Sequence, residues 1–526
     1  MEILNSISEF FGMTGDAGAA YSEAAKYVVL AIRILLPILA IFVLYRCAAS
    51  LFYEKPEKEV WAYLTLPNGG RIELTRWENV IGRARSSDVA LEYPTLSRSH
   101  AAFIRDASAH WIVHDLDSKG GITVNGDRVD GCADIENGDM LSLAGVDMLF
   151  LTISEESERK QARSRRRPGE EISPSLTLFA LTLFQLFLMA ELVLSENTEN
   201  EIPVIACFGG LSLVMWLYYG FMRVLGRTGI EIETLGFFLC TIGMSVVASS
   251  VPGSLYKQII IDVAGIFVFL IIGWLLRDLN RAKKLRWPIA AAGIALLAVN
   301  VLLAKTTFGA RNWLSIAGIS LQPSELVKIC FVFAGSAALD RLFAKRNIFL
   351  FIIYSAVCVG ALALISDFGT AAIFFVCYLV IAFMRSGDFA AVFLSVGGAG
   401  LAGFLAITVK PYIKSRFATW GKAWQYVNAG GYQQTRTMAA LASGGLLGVG
   451  AGNGWLKGVF AADTDMVFGM VAEELGYIIA LCIVAALILI AFFAVRSSYN
   501  ARSSFYIIGA CAAVSIMLVS PEACSE

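Results

Sequence analysis

Two hydrophobic rhythms share this chain. Over residues 27–45, and again and again beyond residue 175, apolar side chains continue for about 18 positions or more, the length a helix needs to cross a hydrocarbon core. About twelve such runs are legible, centred near Leu36, Phe184, Leu213, Thr241, Phe267, Ala295, Val332, Ser355, Val376, Gly398, Leu481 and Ala512. Between the first and the second, the rhythm changes. Segments 60–65, 71–74, 101–104, 111–115, 122–124 and 148–153 are short, rich in β-branched or aromatic residues, and separated by Gly, Asn, Asp or Pro, which is the pattern of an all-β sandwich. The prediction is a polytopic α-helical membrane protein of about 12 transmembrane helices with an inserted all-β sandwich. Its parts are an external N-terminus and first transmembrane helix (1–54), the sandwich (55–154), a charged linker (155–172), a multi-helix domain (173–520) containing a large loop (410–464), and a short tail (521–526).

Composition agrees with the pattern and adds sidedness. The 526 residues are 57% hydrophobic and 16% charged, with a mean hydropathy of +0.66, which excludes an ordinary soluble globular protein. A net charge of -1 conceals segregation, because Lys160, Arg163, Arg165, Arg166 and Arg167 form a basic run while Glu196, Glu199 and Glu201 form an acidic one. Basic loops favour the cytoplasmic side. With the N-terminus outside, alternation puts the sandwich and the basic connections 223–227, 277–286, 345–347 and 496–502 in the cytoplasm, and places 196–201, 252–255, 306–322 and 410–464 outside. Lys410, Lys414, Arg416 and Lys422 break the rule, through either an anionic ligand or the indifference of long loops to charge. The 10 cysteines are scattered singly and read as small hydrophobes. Residues 27–45 lack the basic flank and cleavage site of a signal peptide and read as a retained anchor. The expected location is the cytoplasmic membrane, and no nucleic acid is expected as a partner.

Within the sandwich stand Gly82-Arg83, Leu96-Ser97-Arg98-Ser99-His100 and Gly120-Gly121-Ile122-Thr123-Val124-Asn125-Gly126, apparently between strands. Each glycine could be only a turn former, and Asn-Gly is a common hairpin turn. Together the motifs resemble the forkhead-associated (FHA) domain over about residues 58–153. That resemblance implies recognition of a phosphothreonine-containing cytoplasmic protein written by a kinase. Arg83 would grip the phosphate, Ser97 donate a hydroxyl, Arg98 add positive charge, and Asn125 clamp the peptide backbone, with His100 bracing the loops.

The chemistry of the membrane part concentrates in residues 430–476, a glycine-rich stretch that delivers acidic residues to the mouth of an apolar helix. Long loops in compact proteins are usually functional or disordered. Glu325 and Lys328 lie one turn apart and could pair, and Asp367 opens another helix. Ionisable residues at a membrane edge are functional candidates, against the plainer readings of N-caps for Ser324 and Asp367 and a structural pair for Glu325 and Lys328.

Gly309-Ala310-Arg311-x-Trp313, Gln322-Pro323-Ser324-Glu325-Leu326, Asp367-x-Gly369-Thr370, Gly431-Tyr432-Gln433, Ser443-Gly444-Gly445-Leu446-x-Gly448-x-Gly450 and Thr464-Asp465-x-x-Phe468 with Glu473-Glu474-Leu475-Gly476 resemble the SEDS family (shape, elongation, division and sporulation proteins). The resemblance covers about residues 175–520. It implies a peptidoglycan glycosyltransferase that polymerises lipid II on the outer face of the cytoplasmic membrane beside a penicillin-binding transpeptidase, with Asp465 as the essential acidic residue. Its motifs make Arg311, Trp313, Glu325, Lys328, Asp367, Gln433 and Ser443 substrate-site candidates. The reaction needs a base for the acceptor hydroxyl and positive charge for the departing diphosphate. Asp465 offers the first; Lys414, Arg416, Arg436 and Arg311 are candidates for the second, with a divalent cation, Mg or Mn, as a further aid and no organic cofactor. Glu473, eight residues on, would return to nearly the same helical face about 12 Å deeper if the helix were continuous. Departures from the family pattern are extra apolar segments before the Gly309 motif, Asp463 where His is common, and an end at residue 526 ahead of an expected final helix. A lipid II transporter and a scaffold without catalysis are the competing readings.

Overall fold

The computed structural model describes the chain apart from residues 1–15, 54–58, 86, 107, 167–172, 196–200, 228, 308–309, 317–318, 339–344, 387–388, 410–420, 500, 502 and 524–526. Helix α1 (Asp16–Tyr53) leads into the sandwich, whose strands are β1 (Ala62–Thr65), β2 (Arg71–Leu74), β3 (Glu78–Gly82), β4 (Val89–Ala90), β5 (Ala101–Arg105), β6 (Trp111–Asp115), β7 (Ile122–Val124), β8 (Asp127–Arg128), β9 (Cys132–Ile135), β10 (Met140–Leu143) and β11 (Val146–Thr152). They form two sheets, ordered β2-β1-β11-β10-β7-β8 and β4-β3-β5-β6-β9. Strand alternation turns one face of each sheet inward: Leu64, Leu74, Ile81, Phe103, Leu141 and Phe150 are fully buried. Phe103 stacks on Phe150 at 6.3 Å and Trp111 meets Phe150 edge-on at 5.4 Å.

The charged segment after the sandwich begins as helix α2 (Glu155–Arg166). It leans back on the strands through Arg105–Glu158 at 2.6 Å and a bond from Gln161 Nε2 to the Val60 carbonyl at 3.0 Å.

The remaining helices are α3 (Pro174–Leu194), α4 (Glu201–Val224), α5 (Glu231–Ser250), α6 (Leu255–Leu276), α7 (Leu279–Leu303), α8 (Pro323–Ala338), α9 (Lys345–Leu364), α10 (Phe368–Ser386), α11 (Phe389–Val409), α12 (Tyr432–Gly444), α13 (Ala462–Asp465), α14 (Val467–Glu474), α15 (Tyr477–Tyr499) and α16 (Ser504–Ala523). The run centre at Leu36 falls inside α1 and every other one falls inside one of these helices. Among the described residues, 7 helices are long and apolar enough to cross a membrane, and 4 shorter apolar helices accompany them. The loop over residues 306–322 contributes to a small antiparallel sheet of β12 (Lys305–Thr307), β13 (Ala310–Ile316) and β14 (Ile319–Leu321).

The helices bury two main cores. One gathers α1, α3, α4, α5 and α15 around Leu36, Phe184, Phe208 and Phe238, and takes in Ala451, Leu456, Ala462 and Met466 of the glycine-rich stretch. The other joins α7, α8, α9, α10 and α16 through Leu297, Phe331, Phe351, Phe374 and Ile508. Where lipid is the solvent, close helix approach relies on small residues; at Gly335 a Cβ would lie 2.7 Å from the Ile381 side chain.

The sandwich is tied to the helical domain at the end of β3 opposite its Gly-Arg loop. Glu78, buried at the start of β3, accepts hydrogen bonds from the Ser503 hydroxyl and from the Ser504 amide and hydroxyl at the start of α16.

Candidate functional site

The glycine-rich stretch folds because its carboxylates satisfy its own backbone. Glu473 is 1% exposed; its two oxygens accept hydrogen bonds from the Trp455 and Leu456 amides at 3.1 and 3.0 Å. Glu474 accepts from the Gly452 amide at 2.9 Å and from the Ser249 hydroxyl at the end of α5. Burial pushes the Glu474 carboxyl above the usual carboxylate range, against the pull of those hydrogen bonds and of Lys457. The carbonyls of Glu473 and Glu474 receive the Val449 and Gly450 amides, both at 2.9 Å, and Lys457 Nζ donates to the Gly452 carbonyl at 2.6 Å. From α3, Glu191 takes the Ala451 amide at 3.2 Å and pairs with Arg33 of α1 at 3.1 Å. Buried backbone N–H groups need acceptors, and in residues 449–456 four of them, of Ala451, Gly452, Trp455 and Leu456, go to three carboxylates, while those of Val449, Gly450 and Asn453 go to backbone carbonyls. Packing adds its own demand at Gly444, where a Cβ would lie 2.1 Å from the Ala472 carbonyl oxygen as α12 crosses α14.

This scaffold presents Asp465. Gln433 on α12 donates to the Phe460 carbonyl at 3.1 Å, Ala461 turns the chain with φ 57°, and the single turn of α13 ends on Asp465. Asp465 is half-buried, and among the described residues no hydrogen bond or ion pair reaches its carboxylate. The helix then breaks at Met466, with φ -122° and ψ 26°, before α14 starts. That break corrects the expectation for Glu473: the two carboxylates do not share a continuous helix, and Glu473 faces the amides of residues 455 and 456 instead of a common cleft.

The other predicted positions divide. Arg436 is exposed on α12, its guanidinium 5.2 Å from the Tyr432 ring; Ser443 is exposed and donates to the Ala440 carbonyl within the same helix. Glu325 and Lys328 pair at 2.7 Å. Asp367 caps α10 by accepting the Thr370 amide at 3.1 Å, while its second oxygen is buried without a partner among the described residues. Ser324 lies just inside α8, and its hydroxyl likewise lacks a partner there, so it is not the N-cap the sequence suggested. Ser324, Glu325, Lys328 and Asp367 all belong to helices of the second core or their caps, whereas Asp465 belongs with the first. Arg311 and Trp313 lie on β13, with their side chains outside the described residues, and Lys414 and Arg416 fall outside them altogether.

Arg33, Glu191, Ser249 and Lys457 escaped the sequence reading. For the first two a signal was present: each is an ionisable residue inside an apolar run.

The sandwich builds its site differently. Arg83 follows β3, and Ser97 and Arg98 precede β5, so one end of the sandwich carries these three, with Gly121 at the start of β7 beside them; Asn125 forms the β7–β8 turn at the opposite end of β7, against the start of β10, which corrects its expected place as a clamp beside the phosphate-binding loops. Arg83, Arg98 and Asn125 are exposed. His100, fully buried, joins the loops: its Nδ1 accepts the Ser97 amide at 3.1 Å and its Nε2 meets the Gly121 carbonyl at 3.0 Å. Ser97 Oγ accepts the Lys119 amide at 3.0 Å. Asn125 bridges Asp139 and the Met140 amide, both at 2.9 Å. Gly82 permits the close approach of β3 to this loop, since a Cβ there would sit 2.1 Å from the Arg98 carbonyl oxygen.

Residues 227–521 match the family model for FtsW/RodA/SpoVE cell cycle proteins, more than half of the chain. The chain belongs to that family. Residues 79–144 match the FHA domain, so it is a multi-pass FtsW/RodA/SpoVE protein carrying an FHA sandwich. Among its relatives is the peptidoglycan glycosyltransferase RodA of Mycobacterium tuberculosis, 24% identical over 356 residues that cover 63% of this chain and 71% of that protein. Similar solved structures include one of a peptidoglycan synthase complex that coordinates polymerization and crosslinking, 21% identical with a TM-score of 0.45 over 55% of this chain and 83% of that one. Another concerns phosphothreonine-dependent FHA domain interactions, 25% identical with a TM-score of 0.17 over 18% of this chain and 98% of that one.

Proposed function

We propose that this FtsW/RodA/SpoVE protein polymerises lipid II into glycan strands at the outer face of the cytoplasmic membrane, with Asp465 taking the proton from the acceptor hydroxyl. One observation carries the assignment. In the stretch 445–476 the carboxylates of Glu473 and Glu474 are consumed by backbone amides and Ser249, whereas those of Asp463 and Asp465 are left open among the described residues, and of these two Asp465 is the one that stands in the Thr464-Asp465-x-x-Phe468 motif. A general base needs that freedom to reach a substrate proton. Arg436 is the exposed cation closest in sequence on the same scaffold and serves the departing diphosphate, with Arg311, Lys414 and Arg416 as further candidates. A divalent cation fits the same chemistry, because Mg is commonly held by one or two carboxylates plus substrate phosphates, and Asp465 is the carboxylate that would hold it.

Sidedness follows from parity. The N-terminus and the glycine-rich loop lie outside, and the sandwich lies in the cytoplasm. In support, the loop meets α3 and α5 through Glu191 and Ser249 near their ends, while the sandwich meets the start of α16 through Glu78. The FHA sandwich then reads a phosphothreonine-containing cytoplasmic protein and its kinase's signal, and family membership supports a penicillin-binding transpeptidase as the membrane partner.

The test is purified protein with labelled lipid II. Wild type should form polymer, and Asp465→Asn should lose about a hundredfold or more in rate with unfolding unchanged. Polymer at the wild-type rate from Asp465→Asn would remove the base assignment; lipid movement between leaflets without polymer would make the protein a transporter.

A further inference from the structure

We infer that Arg33 and Glu191 are positioning residues for polymerisation, a clasp that holds the glycine-rich loop in register with Asp465. The inference rests on the glycosyltransferase reading and adds residues that the family match does not reach, since both precede residue 227, where that match begins.

The geometry is specific. Glu191, with a side chain 2% exposed, receives both the Arg33 guanidinium at 3.1 Å and the Ala451 amide at 3.2 Å on the same oxygen. Arg33 lies flat against the next residue back: a Cβ on Gly450 would be 1.9 Å from Arg33 Nη2. Gly450 has φ +106°, so glycine there serves both a left-handed turn and contact with the guanidinium. Two consecutive loop residues are therefore gripped by two helices. An ion pair buried in an apolar setting is a poor way to gain stability, and losing one partner leaves an uncompensated charge. Arg33 and Glu191 sit in apolar helices where aliphatic residues would pack more cheaply, and besides joining α1 to α3 the pair holds this loop.

A short covalent path joins the clasp to Asp465. Residues 449–452 are fixed by Glu473, Glu474 and Glu191; residues 455 and 456 are fixed by Glu473. The turn Leu456–Gly458 hands directly to Val459, whose carbonyl accepts the Ala462 amide at the start of α13. A shift of about 1 Å at Ala451 is transmitted along this braced segment, and misplacement of that size at a catalytic group is costly.

The experiment uses the full chain, labelled lipid II, and hydrogen exchange of the loop amides 449–456 against those of α5 and α15. Arg33 keeps partial exposure, with 23% of its side chain accessible, but Arg33→Ala leaves Glu191 without its cation, so thermal unfolding in detergent is read for every variant and Arg33→Lys keeps a positive charge there. Arg33→Ala should lower kcat about tenfold with little change in KM, and should raise exchange in the loop alone. Arg33→Lys, which keeps the charge, should recover most of the rate, and Glu191→Gln, which keeps an acceptor for Ala451, should fall between. Wild-type kcat in Arg33→Ala overturns the proposal. So does faster exchange spread equally through α5 and α15, which marks general destabilisation. If wild type itself forms no polymer, the glycosyltransferase reading fails, and the exchange comparison alone decides whether the pair holds the loop.

Discussion

The two ends of this protein use polar residues in opposite ways. In the sandwich, one buried imidazole, His100, ties the loops together, and the charged groups Arg83 and Arg98 are left exposed for a ligand. In the glycine-rich loop the arrangement is inverted. Acidic groups, Glu191, Glu473 and Glu474, are buried as braces for backbone amides, and among the described residues the half-buried carboxylates of Asp463 and Asp465 remain open. The difference follows from what surrounds each loop. A β-sandwich supplies ladder partners right up to its loops, and the side chains that brace those loops, such as Ser97 on the Lys119 amide and Asp106 on the Ser108 and His110 amides, stay outside the buried core. A glycine-rich loop set among helices has no ladder, and its amides must find side-chain acceptors or remain costly.

The comparison can be broken most readily at Glu473. Glu473→Ala strands the Trp455 and Leu456 amides and should cost about 2–5 kcal/mol, read as thermal unfolding in detergent, with Glu473→Gln retaining part of it; equal stability of the alanine variant would mean the brace is idle. Next comes Gly444→Ala, whose methyl group meets the Ala472 carbonyl oxygen; separating α12 from α14 should cost about 1–3 kcal/mol and slow polymerisation.

His100→Ala should cost the sandwich about 2 kcal/mol and weaken phosphothreonine-peptide binding through disordered loops, which calorimetry can separate from a change confined to affinity. Arg83→Ala should leave unfolding within about 0.5 kcal/mol and still abolish discrimination, so equal binding of phosphorylated and unphosphorylated peptide by wild type would reject the reader. The smallest effect is expected at Glu325→Gln. With Glu325 55% exposed in its pair with the buried Lys328, the loss should stay below about 1 kcal/mol, and a larger one would mean that Lys328 depends on this carboxylate as its counter-charge.

Much of this was legible in residue order. Apolar runs located helices, because spanning length and backbone self-satisfaction leave a lipid-embedded segment few alternatives. Short β-branched segments located the sandwich, and Gly82-Arg83, Ser97-x-x-His100 and Asn125-Gly126 placed its loops and their brace. Asp465 stood out through its family motif. Helix continuity from Asp465 to Glu473 was the reasonable expectation for an apolar stretch, and it failed because the break at Met466 is a matter of backbone geometry with no proline or glycine to announce it.

What residue order determined by itself was therefore local and periodic: which segments are helices, which are strands, and which motifs belong to which family. Tertiary structure alone decided how the acidic residues divide their labour. Glu191 lies 260 positions from the Ala451 amide it holds, and Ser249 lies 225 from Glu474. Whether a carboxylate braces a backbone or stays free for a proton depends on which donors reach it across such separations, and no local pattern encodes that.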